Sequence, residues 1–228
     1  MSVIVASVDL RPLFGPPRNQ GQRPTCMAFA ASDAHAALRS PWAPLSCEYA
    51  FYQAQRRASR SPNKGALLSS MLEALRHDGQ PEESGWPYLP STPNDAASWS
   101  PPNNVGPLFG RAGLKSNHVV DRVIAELDQG RPVIVLMMLS RAFFNPSSEA
   151  VIHPATGEFP EPQRRHAVIA VGHGKVDSYR AILARNSWGP RWGHGGYGWL
   201  TEPFFGPRIF AAAVLMEEVD VPTRSAAA

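Results

Sequence analysis

The chain has 228 residues, 43% of them hydrophobic and 18% charged, and this length suffices to bury a full core. The formal net charge of +3, with no long run of Lys or Arg, argues against a nucleic-acid-binding surface. The longest uninterrupted apolar run, Ile209 to Met216, falls well short of the roughly 20 residues that a membrane span requires, so we expect no membrane association.

The first half of the chain predicts helices joined by loops. Residues 1–22 are expected to be extended and irregular. In chain order the predicted helices cover residues 26–38, 47–57 and 67–77. Thr25 and Ser46 are suitable N-cap residues for the first two. Residues 81–104 are predicted to be a loop, because prolines interrupt them repeatedly.

The second half predicts a short helix followed by strands. The helix covers residues 119–127, and the predicted strands are 133–139, 167–171, 180–184 and 197–200. A helical first half and a strand-rich second half indicate an α+β fold with two lobes. We expect one domain at 1–218, with a helical lobe at about 20–110 and a β lobe at about 111–218, followed by a flexible tail at 219–228. A cleft between lobes is a natural place for a site.

Cys26 is the candidate nucleophile, because it begins the first predicted helix directly after Thr25. A helix N-terminus and a cationic neighbour both favour the reactive thiolate, and Arg23 is a candidate for that neighbour. A lone cysteine is more often a small buried residue, so the assignment depends on the residues that accompany it.

Three further residues complete the groups that acyl chemistry requires. Gln20 could donate a hydrogen bond to an oxyanion. His166 opens an apolar strand and could take and return a proton. The Asn186 amide could fix the orientation of the imidazole. Taken singly, these three residues would be an exposed loop residue, a structural histidine and part of a turn.

Four segments in this order resemble the papain family of cysteine peptidases. The segments are Gln20 to Cys26, Ser84 to Tyr88, His166 to Gly172, and Asn186 to Gly189 with Gly196 to Gly198 after it. The resemblance covers nearly the whole chain. It implies a papain-like two-lobe fold, with an antiparallel, β-barrel-like C-terminal lobe and the active-site cleft between the lobes.

The resemblance also implies a cysteine endopeptidase that hydrolyses peptide bonds in a protein or peptide substrate. Cys26 would form the acyl-enzyme, with His166 as acid and base, Asn186 orienting it and Gln20 in the oxyanion hole. Gly65 would bind the substrate backbone, and Trp188 or Trp192 would lie on the leaving-group side. No metal or organic cofactor is needed, and the other histidines show no metal-binding spacing.

The chain departs from the family pattern at three points. Arg23 stands where a disulfide cysteine is common, and Met27 stands where an aromatic residue is common. Because the peptidase sequence begins almost at Met1, we expect no long inhibitory propeptide. We therefore expect control by compartment, by a regulatory or inhibitory protein partner, by the redox state of Cys26 or by narrow specificity.

The two cysteines and the N-terminus suit a cytoplasmic location, because no disulfide is expected and no signal peptide is recognised. A removed leader, and delivery to another cell as an effector, remain open alternatives. High Ala, Arg and Pro usage suggests a bacterial source, by resemblance only.

Two alternative functions use the same residues. An acyl transferase, ligase or isopeptidase would pass the acyl group to an amine or act on a side-chain amide. A catalytically silent module would keep the fold only to bind peptides. The sequence favours the peptidase because all four chemical groups are present.

Overall fold

The computed structural model describes residues 2–92 and 98–221. The chain divides into two compact units. The first comprises Met1–Gly21 and Lys115–Val214, and the second comprises Gln22–Leu114 and Leu215–Ala228. We call them the β unit and the helical unit after their main content.

Three helices form the core of the helical unit. They are α1 (Cys26–Ala37), α2 (Cys47–Arg57) and α3 (Leu68–His77). Helix α1 is rich in alanine and buried around its whole circumference, whereas α2 begins at a true cap, in which the Tyr49 amide donates to Ser46 Oγ. Gly79, with φ of +65°, follows α3 in the left-handed region that a residue other than glycine rarely adopts.

A strand completes the helical unit. Strand β2 (Gly110–Ser116) lies beside the end of β8 (Ile209–Val219), whose residues 215–219 belong to this unit. Gly110 approaches Val219 so closely that a Cβ would lie 2.4 Å from its carbonyl oxygen. Arg111 fastens the same pair, donating to the Met216 carbonyl at 2.9 Å.

The β unit is built around an open mixed sheet. Its further elements in chain order are β1 (Ile4–Asp9), α4 (Val120–Asp128), β3 (Val133–Met138), α5 (Arg141–Phe144), β4 (Val151–Ile152), β5 (Arg165–Val176), β6 (Tyr179–Arg185), β7 (Tyr197–Thr201) and α6 (Glu202–Phe205). The strands follow the order β8-β3-β5-β6-β7-β4, and β1 pairs with β5. All pairs in this unit are antiparallel except β4 with β7.

Strand β5 is central to this sheet and carries His166 at its beginning. It pairs with β3 over residues 165–170, where His166 lies opposite Met137, and with β1 over residues 172–176. Its other edge pairs with β6, which ends at Arg185. The chain therefore leaves β6 at Asn186, beside the start of β5.

The α+β class expected from the sequence is confirmed, but the sheet is open rather than barrel-like. Strands β1, β2, β4 and β8 were not expected as strands. Of the predicted tail at 219–228, residues 222–228 lie outside the described part of the chain, and β8 extends to Val219. The predicted domain and lobe limits stay a prediction.

Candidate active site

His166 and Asn186 form a buried hydrogen-bonded pair. The His166 side chain lies at the start of β5, and the residue is 6% exposed. Its Nε2 and the Asn186 Oδ1 are 2.7 Å apart. Burial lowers the pKa of His166 to about 4, although the hydrogen bond to Asn186 acts in the opposite direction. The imidazole is therefore neutral near pH 7 and able to accept a proton.

The surrounding backbone fixes the orientation of the Asn186 amide. The Ser187 N–H donates to Asn186 Oδ1 at 2.8 Å, and because a backbone N–H can only donate, this atom is the amide oxygen. The same oxygen must therefore accept from a protonated Nε2 of His166. This tautomer leaves the other ring nitrogen, Nδ1, to exchange protons.

Aromatic side chains cover the His166–Asn186 pair. The ring centroids of Trp188 and His166 lie 4.8 Å apart. Phe143 packs edge-on against Trp188 at 5.3 Å, and the Trp192 indole N–H donates to the Phe143 carbonyl at 3.0 Å. Excluding water in this way strengthens the hydrogen bond that holds the imidazole.

Gln20 reaches the same region because residues 18–20 run alongside residues 187–189. The Gln20 amide donates to the Ser187 carbonyl at 2.8 Å, and the Gly189 amide donates to the Arg18 carbonyl at 3.0 Å. The Ser187 hydroxyl then donates to Gln20 Oε1 at 2.6 Å. Since Oε1 is the acceptor in this bond, Nε2 is the end of the amide that can serve an oxyanion.

Cys26 is the first residue of α1 in the helical unit, where it is partly exposed. Both cysteines lie within the described residues, and neither forms a disulfide. Thr25 occupies the N-cap position as expected, but its side chain makes no capping hydrogen bond. Its hydroxyl instead lies 2.8 Å from the Tyr88 hydroxyl. Cys26 therefore takes its position at the positive end of the helix dipole without a side-chain cap before it.

A buried ion pair holds the segment that precedes Cys26. Arg23 donates to both carboxylate oxygens of Glu48, at 2.5 and 2.9 Å, and their side chains are 2% and 0% exposed. The same carboxylate accepts from the Trp99 indole at 2.7 Å and the Leu89 amide at 3.1 Å. We call these four residues the Arg23 node. The expected cationic neighbour of the thiol is thus compensated by Glu48.

Gly65 lies near the chain that enters Cys26. A Cβ at Gly65 would lie 3.8 Å from the Pro24 carbonyl oxygen, which is an ordinary contact distance. The fold therefore does not require glycine here. A role for this glycine must come from what approaches it, as the substrate-binding prediction supposes.

The structure places the predicted site residues in two groups. Gln20, His166, Asn186 and Trp188 come together in the β unit, whereas Cys26 and Gly65 belong to the helical unit. The sequence reasoning missed two supporting residues, Ser187 and Glu48. Ser187 could have been suspected because it lies between Asn186 and Trp188, but no local pattern marks Glu48.

Over the described ranges, no group of three His, Cys, Asp or Glu side chains could hold a metal ion. The helices within those ranges are all too short or too polar to cross a membrane.

Comparison with known proteins identifies the family of the chain. Residues 4–203 match the model of the papain family of cysteine proteases. The chain belongs to this family. The match covers both units, including each of the six predicted site residues.

Individual papain-family relatives are distant in sequence. A cysteine protease of Blomia tropicalis is 28% identical over 194 residues, which is 80% of this chain and 56% of that protein. This chain therefore spans little more than half the length of that curated relative.

Solved structures of the family share the fold. The crystal structure of xylellain, a cysteine protease from Xylella fastidiosa, aligns with a TM-score of 0.79 at 22% identity, covering 93% of this chain and 86% of that one. The Carica candamarcensis cysteine protease CMS1MS2, solved in complex with E-64, gives 0.70 at 21% identity and covers 94% and 99%.

Proposed function

We propose that this protein is a cysteine peptidase that hydrolyses peptide bonds through a Cys26 acyl-enzyme. The observation that carries the proposal is the linked set of hydrogen bonds from His166 to Asn186 and from Ser187 to Gln20. This set supplies a neutral, oriented base beside an oriented amide donor. Membership of the papain family supports the joint action of this set with Cys26.

Acylation begins with attack of the Cys26 sulfur on the substrate carbonyl carbon, while the thiol proton passes to His166 Nδ1. The carbonyl oxygen becomes an oxyanion, which Gln20 Nε2 and the Cys26 backbone N–H stabilise. His166 then donates its proton to the leaving amine as the carbon–nitrogen bond breaks. The products of this step are a thioester on Cys26 and a free amine.

Deacylation repeats the sequence with water as the nucleophile. His166 takes a proton from water, and the hydroxyl adds to the thioester carbonyl. Collapse of this second intermediate breaks the carbon–sulfur bond, and the thiol is restored with the proton from His166. Asn186 keeps His166 Nδ1 directed at the reacting atoms during acylation and deacylation, because the Asn186 amide oxygen holds the opposite ring nitrogen.

The substrate class is a peptide or protein, with Gly65 offering its backbone to the substrate and Trp188 lining the leaving-group side. A regulatory or inhibitory protein partner is part of the proposal. A cytoplasmic location and a bacterial source are its further expectations, and they depend on the sequence alone.

Labelling with an electrophilic peptide probe tests the assignment. An epoxide or vinyl-sulfone peptide should add once to the wild-type chain, as read by intact mass, and should not add to Cys26→Ala or His166→Ala. Cys47→Ala is the matched control, because Cys47 is buried and should not react. Full labelling of the His166→Ala variant would contradict the mechanism.

Turnover of peptides then separates hydrolysis from the other two functions. Product masses with and without an added amine show whether the acyl group goes to water or to the amine. A folded chain that binds peptides but neither labels nor cleaves would identify a silent binding module, and the proposal would then be wrong.

A further inference from the structure

The turn before β5 carries an exposed arginine at a fixed position. The Arg164 amide donates to the Glu161 carbonyl at 2.9 Å. Two hydrogen bonds also join the turn to Leu139. The Leu139 amide donates to the Arg164 carbonyl at 2.7 Å, and the Glu161 amide donates to the Leu139 carbonyl at 3.0 Å. The Arg164 side chain is 51% exposed, so a rigid backbone presents this guanidinium to solvent.

A continuous line of rings joins this guanidinium to His166. The Arg164 guanidinium carbon lies 5.4 Å from the centroid of the Phe144 ring. Phe144 stacks on Trp188, with centroids 5.3 Å apart and planes inclined by 26°. Trp188 in turn contacts the His166 ring. We call Arg164, Phe144 and Trp188 the cationic platform.

Neighbouring residues hold the cationic platform in place. Phe143 is fully buried beneath Trp188. The short helix α5 that carries both phenylalanines is fixed at its start, where the Ala142 amide donates to the Glu158 carboxylate at 2.7 Å. Phe144 nevertheless remains 42% exposed. An exposed aromatic ring held by a buried one provides a surface that a bound peptide can cover.

The chemistry of His166 identifies which part of a substrate meets the platform. In the proposed function, on which this inference rests, His166 gives its proton to the leaving amine. A surface continuous with His166 through Trp188 therefore faces the residues that follow the cleaved bond. The aliphatic stem of a side chain there can lie on Phe144, and its end reaches Arg164.

The charge near this platform favours a carboxylate. Arg164 forms an ion pair with Glu161 through Nε at 2.9 Å, and the Glu161 side chain is 40% exposed. An exposed ion pair of this kind contributes little stability, so replacing Glu161 by a substrate carboxylate as the partner of Arg164 costs little free energy. Glu158 is engaged by the backbone amides of Ala142 and Ala155. Arg141 and Arg165, both exposed, add positive charge nearby in sequence.

We propose that Arg164, presented on the Phe144–Trp188 rings, selects peptide substrates with an acidic residue on the leaving-group side of the cleaved bond.

Internally quenched peptides test this specificity. A matched set carries Glu, Gln or Lys at the first or second position after the cleaved bond, with the remaining sequence constant. The wild type should cleave a Glu peptide with a kcat/KM about fivefold above the Lys peptide, the size expected of an exposed ion pair. The ratio should shrink at high salt because the interaction is screened.

Substitutions at neighbouring arginines provide the control. Arg164→Gln should bring the ratio close to one, and Arg164→Glu should invert it. Arg165→Gln should retain the wild-type ratio, because its guanidinium donates to the Pro162 carbonyl at 3.1 Å and lies over Phe210 rather than Phe144.

The outcomes distinguish this inference from the proposed function. The inference would be overturned if the wild type cleaved Glu and Lys peptides equally, or if Arg164→Gln kept the wild-type preference. In either case the cleavage itself would still support the proposed function. An equal loss of preference in Arg165→Gln would show general charge rather than Arg164, and would also overturn it. Failure to cleave any peptide, with Cys26 unlabelled, would defeat both.

Discussion

The predicted site residues fall into two groups, which we call the base half, in the β unit, and the nucleophile half, in the helical unit. Different kinds of interaction hold the two groups. In the β unit, the Asn186 amide oxygen holds the His166 ring and accepts from the Ser187 N–H, and the Ser187 hydroxyl donates to Gln20. In the helical unit, the segment before Cys26 is fixed by the Arg23 node, whose members come from four separate parts of the chain.

This difference indicates where each half is vulnerable. The base half depends on uncharged groups that aromatic rings shield, so removal of one group should misdirect the chemistry without unfolding the unit. The nucleophile half depends on a buried charge pair, and removal of one charge leaves the other uncompensated in a dry interior.

The largest effect expected of a single substitution at neutral pH follows from breaking the Arg23 node. Glu48→Ala should lower the free energy of unfolding by about 3–5 kcal/mol, because it strands a buried guanidinium. Urea denaturation measures the loss. Glu73→Ala is the matched control, since the Glu73 side chain is 57% exposed and pairs with His77, itself half exposed. Equal stability of the two variants would show that the node does not hold this unit.

Acid pH should also destabilise the fold, and a buried histidine of each unit contributes to this loss. Burial lowers the pKa of His35 in α1 to about 3 and that of His166 to about 4, so both bind protons more weakly in the folded state than in the unfolded state. The free energy of unfolding should therefore fall as pH drops below about 6.5, by roughly 1.4 kcal/mol per pH unit for each histidine.

Variants of the two histidines separate their contributions. His35→Gln should reduce the slope of the unfolding free energy against pH by roughly 1.4 kcal/mol per pH unit between about pH 4.5 and 6. His166→Gln should reduce the slope independently of His35. Denaturation at several pH values gives the slopes. An unchanged slope in His35→Gln would mean that this histidine is not held neutral.

In the base half, Ser187→Ala should reduce kcat/KM about tenfold with little change in stability. The variant removes the Ser187 hydroxyl that donates to Gln20 Oε1, so the amide is held less firmly with Nε2 toward the oxyanion. Complete loss of an oxyanion donor costs about 10²–10³ in rate. Alkylation of Cys26 by iodoacetamide forms no oxyanion and should keep its wild-type rate. Ser187→Thr should restore turnover, because its hydroxyl can again donate to Gln20. If Ser187→Ala slowed peptide cleavage and alkylation equally, the substitution would have disturbed the whole site rather than the oxyanion donor.

The smallest expected effect is at Gly65. Gly65→Ala should leave the melting temperature unchanged, because the added methyl group would meet only the Pro24 carbonyl oxygen at an ordinary contact distance. A severalfold rise in KM for peptide substrates would support backbone binding at this position. An unchanged KM would identify Gly65 as a simple loop residue.

Local patterns predicted the elements that local physics specifies. Helix α2 begins and ends at the predicted residues, because Ser46 supplies a true cap and the apolar side chains recur at helical spacing. Strand β5 was recognised only in its apolar centre, 167–171, although it extends from Arg165 to Val176. Its final residues form strand only because β1 and β6 pair with them.

Strands β1, β2, β4 and β8 were not predicted, and each of them pairs with a strand that is distant in the sequence. Strand β1 is exposed along most of its length, so it shows no alternation of buried and exposed residues. Strand β8 contains Ala211 to Ala213, whose small side chains favour helix as readily as strand. Pairing with β3 decides its conformation.

The sequence by itself determined the α+β class, and it was enough to propose the reacting groups, because a candidate nucleophile, base, amide donor and orienting amide are each recognisable by residue type and order. It also determined where α1 begins, and hence that Cys26 lies at a helix N-terminus. Tertiary structure alone decided the compensation of Arg23 by Glu48, the Ser187 hydroxyl on Gln20, and the stacking of Arg164 and Phe144 toward His166. These contacts join residues far apart in the chain or direct particular side-chain atoms, and no local spacing encodes them.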